Sequence, residues 1–147
     1  MRFIVFVKAT EESENEQFPD ENAEELFIEM NKFNEELVKA GVMLGGDGLR
    51  PSKYAMRLKF DGPDRTVTDG PFAETKELVA GYWLLQCKSR EEVLEWMKRA
   101  PFDGGTEIEI RPLYEAEDFG TAMPTEVREA EERMRATIEE QQRAKQS

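Results

Sequence analysis

The heptapeptide RFIVFVK, Arg2 to Lys8, places Phe3, Val5 and Val7 on one face of an extended chain and Ile4 and Phe6 on the other. The alternation predicts a strand that is apolar on both faces. From Glu21 to Ala40 the period changes: Ala23, Leu26, Phe27, Met30, Phe33, Leu37 and Val38 recur at helical spacing, and Gly41 stands where a helix ends. The polar run between them, TEESENEQFPDEN, reads as a solvated loop. GVMLGGDGLRPS reads as a short strand entering a glycine-rich turn, since its glycines and Pro51 permit sharp backbone changes. Lys53 to Phe60 alternates again, Met56, Leu58 and Phe60 against Ala55, Arg57 and Lys59, and across the DGPDR turn Thr66 to Thr68 completes a hairpin.

AGYWLLQCK predicts a second doubly apolar strand, with Gly81, Trp83, Leu85 and Cys87 on one face and Tyr82 and Leu84 on the other. Ser89 and Glu92 form a capping-box pattern ahead of Val93, Trp96, Met97 and Ala100, and Pro101 stops that helix. TEIEIRPL is a final strand, Ile108 and Ile110 inward and Glu107, Glu109 and Arg111 on the opposite face. Glu126 to Gln146 is a charged helix whose apolar stripe is only Val127, Ala130, Met134 and Ile138. So thin a stripe predicts a helix lying loosely on the domain or on a neighbouring subunit rather than a coiled coil.

Strand, helix, strand, hairpin, strand, helix, strand is the order of two β-α-β units, so the fold class predicted is α+β with a ferredoxin-like plan. The two doubly apolar strands fall on its central places and the half-charged TEIEIRPL on an edge. Two helices cover one face of such a sheet and leave the apolar residues of the other in need of a cover, for which a second copy of the chain is the simplest candidate. The prediction is a homodimer with a domain over residues 1–120 and a C-terminal helical extension over 121–147.

Composition narrows the partners. Thirty-two Asp and Glu against 20 Lys and Arg give a net charge of -12, which repels phosphate backbones and anionic lipid and argues against nucleic acid and membrane surfaces. Met1 to Lys8 is a strand rather than a basic-then-apolar leader, and the single Cys87 forms no internal disulfide, so a cytoplasmic protein is expected. Cys87 lies in an apolar strand and reads as a packed thiol. With no histidine, any general acid or base must be a carboxylate, Lys or Tyr, and imidazole ligation of a metal is excluded. No ligand spacing for a hard cation is visible, and Gly45-Gly46-Asp47-Gly48 lacks the Lys-Ser/Thr of a phosphate loop, so neither metal nor cofactor is expected.

The segment VTDGPFAETKE, Val67 to Glu77, is the candidate site. Asp69-Gly70-Pro71 is turn chemistry and Phe72 can anchor a loop, but Glu74, Thr75, Lys76 and Glu77 lie too close together for helix or strand periodicity alone. Arg57, Glu109 and Arg111 alternate away from apolar neighbours, toward the face opposite the helices, where they serve as ion pairs or as walls of a polar pocket. The candidate set is Asp69 and Asp47 as catalytic carboxylates, with Arg57, Glu74, Lys76, Tyr82 and Arg111 as ligand contacts. In it Asp69 is the base and Arg57 or Arg111 holds an anion.

AGVMLGGDGLRPS, VTDGPFAETKELVAGYW and IEIRPLYEAEDFG together resemble the YCII-related proteins of the DGPF subgroup, from Met1 to about Gly120. The resemblance implies a dimeric ferredoxin-like α+β barrel, akin in fold to muconolactone-isomerase-like and cofactor-free monooxygenase-like proteins. Some relatives are proposed to use a His-Asp pair; this chain keeps Asp47 and Asp69 but has Arg50 and no histidine. The resemblance also implies an association with extracytoplasmic-function sigma factors. Two functional readings therefore stand: a small-ligand-binding protein doing proton-transfer chemistry without a cofactor on a small organic acid or aromatic, or a non-catalytic regulatory module with a protein partner.

Overall fold

The computed structural model describes residues 1–15, 21–102 and 104–146, and the chain divides into two compact units, Met1–Leu113 and Tyr114–Ser147. The first unit is built on a four-stranded sheet. Its strands are β1 (Arg2–Lys8), β2 (Met43–Gly48), β5 (Val79–Gln86) and β6 (Ile108–Pro112), in the order β2-β5-β1-β6 and antiparallel throughout. The doubly apolar strands β1 and β5 are central and β6 is an edge, which is the split β-α-β plan the pattern predicts. Between β2 and β5 the chain makes a separate two-stranded hairpin, β3 (Met56–Asp61) with β4 (Asp64–Asp69).

Helix α2 (Glu21–Lys39) and helix α3 (Arg90–Met97) supply Phe33, Leu37, Val93 and Met97 to one core with Phe3, Val5, Trp83, Leu85 and Cys87. Those sheet residues alternate onto one face, so the core lies between it and the helices. Ile4, Phe6, Tyr82 and Leu84, on the other face, are half-buried. Helix α2 ends as Gly41 predicts: at φ +72° it lets its own N–H reach Val38 O while Val42 N–H reaches Leu37 O, both at 3.0 Å, the paired bonds of a Schellman cap. At α3, Ser89 Oγ accepts from Glu92 N–H at 3.1 Å, but the Glu92 carboxylate reaches back to Lys88 N–H, one residue further than a capping box requires.

Two expectations are corrected. The run after Thr10 is not wholly loop: α1 (Glu11–Glu14) is a single helical turn closed by reciprocal Thr10 and Ser13 side-chain bonds, and residues 16–20 of that run lie outside the described residues. The glycine-rich segment is not a turn either, because β2 runs through it to Gly48. A bulge at Leu44 shifts the register so that Gly46 pairs with Trp83 and Gly48 with Gly81.

In the second unit, Tyr114 and Phe119 stack at 4.7 Å beside a 3-10 turn (Ala116–Ala122), and α4 spans Thr125–Gln146. Arg128 donates to the carbonyls of Ala116 and Gly120 at 3.2 Å, tying the helix to that turn. None of the described residues of α4 is buried; Val127, Met134 and Ile138 are exposed. No described helix is long and apolar enough to cross a membrane.

Candidate functional site

Strand register fixes which side chains share a row. On the helix-facing side the rows run Gly46, Trp83, Val5, Ile110 and then Gly48, Gly81, Val7, Ile108. Three of the four positions on β2 and β5 in these rows are glycine, so the sheet has no side chains there to meet α2. A Cβ on Gly48 would have nothing within 4 Å, whereas one on Gly46 would stand 3.0 Å from the Trp83 ring. The space left is a cleft of about 260 Å³ walled by Val7, Met30, Met43, Trp83 and Phe102, with Asn34 of α2 as a polar side chain among them.

Trp83 is clamped in that wall. Its ring meets Phe33 edge-on at 5.8 Å and Phe102 at 6.0 Å, and its indole N–H donates to Asn34 Oδ1 at 2.8 Å. Asp47, Gly48, Ala80 and Tyr82 complete the lining. Asp47 and Tyr82 alternate away from Trp83, so they border the cleft from the strands while their side chains lie on the other face of the sheet, where the Tyr82 hydroxyl lies 3.5 Å from Asp47 Oδ2, a long contact.

Of the seven residues singled out from the sequence, Asp47 and Tyr82 line the cleft and the other five are elsewhere. Asp69 is exposed on β4, paired with Met56. Arg57 is on the hairpin rather than in the main sheet, its guanidinium 3.7 Å over the Phe72 ring. Arg111 is on β6 in the row of Ile4 and Leu84, its Nε 3.9 Å from Glu109, which also pairs with Lys8 at 3.7 Å. Lys76 is exposed on the 3-10 turn Thr75–Glu77. Glu74 faces Glu77 closely enough to hold the Glu77 carboxyl above its ordinary range, first through their side-chain hydrogen bond and then through charge repulsion; Arg57 and Lys8 oppose the shift.

The loop that carries Asp69 to Phe72 is a clasp. Ser52, buried in the 3-10 turn Ser52–Tyr54, donates N–H and Oγ–H to the Glu14 carboxylate, and its Oγ accepts Phe72 N–H at 3.0 Å. Gly70 N–H reaches Ala55 O at 2.9 Å, and a Cβ on Gly70 would stand 1.8 Å from Ser52 O. Backbone contact this close admits only glycine.

The YCII-related domain matches residues 1–117, which takes in both helix-bearing halves of the sheet and the hairpin. The chain belongs to the YCII-related family. An uncharacterized protein of Rhizobium meliloti (strain 1021) is 31% identical over 107 residues, covering 70% of this chain and 85% of that protein. The solved structure of 5-chloro-2-hydroxyhydroquinone dehydrochlorinase from Burkholderia phenoliruptrix AC1100, in complex with 2,5-dihydroxybenzoquinone, gives a TM-score of 0.40 at 13% identity over 80% of this chain and 98% of that one. A likeness of that size informs neither ligand nor reaction here. In this YCII-related chain the matched segment ends four residues into the second unit.

Sequence reasoning did not place Asn34, Met30, Phe102 or the glycines at a cleft. One signal was present: Asn34 follows Met30 by four and precedes Leu37 by three, a polar residue inside the apolar stripe of α2. The Cys87 thiol is not part of the site; it is buried in the core, and burial pushes its pKa up, away from nucleophilic use.

Proposed function

We propose that this chain is a small-ligand-binding protein of the DGPF kind and that its glycine-floored cleft is the binding site. The observation that carries this is the cleft itself: apolar and aromatic walls with few polar groups, the usual make-up of a small-molecule site. A single ring fits, since about 150 Å³ of apolar cavity accommodates benzene. No base is assigned within the cleft, because Asp69 is exposed on β4 and the Asp47 carboxylate faces the other side of the sheet. Two such chains, packed through the sheet faces that carry Ile4, Phe6, Tyr82 and Leu84, form the α+β barrel of this proposal.

The experiment is a thermal-shift screen of small organic acids and single-ring aromatics against wild type and Gly48→Val. A binder at 100 times its Kd stabilises the fold by about 2.7 kcal/mol and raises the wild-type Tm by several degrees. Gly48→Val fits a strand, meets open space and fills the cleft, so it keeps the fold and loses the shift. A ligand whose shift survives Gly48→Val binds elsewhere and removes the cleft from consideration.

A further inference from the structure

The cleft contains a hydrogen-bond donor whose direction the fold has fixed. Trp83 Nε1–H can only donate, so the atom of Asn34 that faces it at 2.8 Å must be the carbonyl Oδ1. The amide cannot flip without confronting one N–H with another. Its Nδ2 end is therefore held away from the indole, and among the described residues no acceptor takes either of its N–H groups. Trp83 is itself immobilised between Phe33 and Phe102, so the amide is oriented by a ring that has nowhere to turn. Asn34 is half-buried and lines the cleft among Val7, Met30, Met43 and Phe102. The donor is unmatched by the protein and reaches water, which a ligand acceptor in the cleft replaces.

We infer that Asn34, oriented by Trp83, is the polarity-selecting residue of the cleft, and that it admits an uncharged single-ring compound bearing a carbonyl oxygen. This rests on the cleft being the ligand site. The charge state follows from the walls: a carboxylate entering them would trade its hydration for one neutral amide, and a chain of net charge -12 repels it. A neutral carbonyl gives up far less water and accepts the same hydrogen bond. The volume, about 260 Å³, leaves room for a substituted ring. Of the organic acids and aromatics, the cleft thus takes neutral carbonyl-bearing aromatics.

The test uses the full chain labelled with ¹⁵N and two probes of nearly equal shape, acetophenone and ethylbenzene, of which only the first has an acceptor. The protein has two tryptophans, so two indole N–H resonances report, and Trp96→Phe identifies that of Trp83. Both probes shift the Trp83 resonance in wild type. Asn34→Leu weakens acetophenone by roughly tenfold, the worth of one hydrogen bond, and leaves ethylbenzene within about twofold. Asn34→Asp, which still accepts from the indole but offers no donor, gives the same selective loss and covers the case in which the leucine variant does not fold. Equal weakening of both probes, or of neither, in the variants overturns the role of Asn34 while leaving the cleft a binding site. Silence of the Trp83 resonance toward both probes in wild type overturns the cleft as a ligand site, and this inference with it.

Discussion

Gly46, Gly48 and Gly81 act through what they lack. A Cβ on Gly46 or Gly81 would crowd the neighbouring strand, at 2.9 Å from Tyr82 O and 3.2 Å from Asp47 O, while one on Gly48 would enter open space at the cleft. Glu74 and Glu77 are the opposite case, two carboxylates within hydrogen-bonding reach, of which Glu77 holds its proton more readily than an ordinary carboxylate. The sign of the linkage follows. A carboxyl whose folded pKa lies above its unfolded value favours the fold below the unfolded value, and that contribution is lost as pH rises through the folded one. Glu74→Gln removes the neighbouring charge, so the Glu77 midpoint falls toward the ordinary range, as a ¹³C carboxyl NMR titration reads directly. An unchanged midpoint would assign the shift to something other than Glu74. None of this was legible in the string ETKE, which places the acids near each other along the chain but says nothing of which way they point.

Among elements, the DGPF loop is the instructive one. Its charge density reads as a ligand-binding wall, yet Gly70 and Phe72 are spent on holding the β3–β4 hairpin to Ser52, and Ser52 in turn to Glu14 of α1. A two-stranded hairpin is at best marginally stable alone, so this clasp is what gives it a place. Ser52→Ala removes the acceptor of Phe72 N–H and one donor to Glu14, for an expected loss of about 1–3 kcal/mol in urea denaturation with an unchanged m-value. A loss below a few tenths of a kcal/mol would mean the clasp is not a stabilising contact. Strand and helix identities were legible wherever period and caps agreed, as at Arg2 to Lys8, Gly41 and Ser89. At β2 the strand was legible but not its length, because glycine's turn preference was overridden by pairing with β5, a tertiary effect with no local sign.

At the scale of the molecule, the sheet carries two apolar faces and its own helices α2 and α3 pack on one. If the second is the seat of a partner copy, sedimentation of the purified chain at micromolar concentration gives twice the chain mass, and Phe6→Asp, centred on that face, gives the single-chain mass with the far-ultraviolet circular dichroism of wild type. A wild-type monomer would remove the barrel from the proposal and leave the cleft, which one chain walls by itself, intact.

The sequence by itself determined the main strands and helices, the central placing of β1 and β5 and the absence of histidine chemistry, because period, caps and composition are properties of neighbours along the chain. Only the tertiary structure decided that Asn34 meets Trp83, that Gly46 and Gly48 sit opposite Trp83 and Gly81, and that Asp69 and Asp47 part company. Those facts depend on strand register and on helix placement over the sheet. Both are set by the packing of residues tens of positions apart, and no local pattern encodes them.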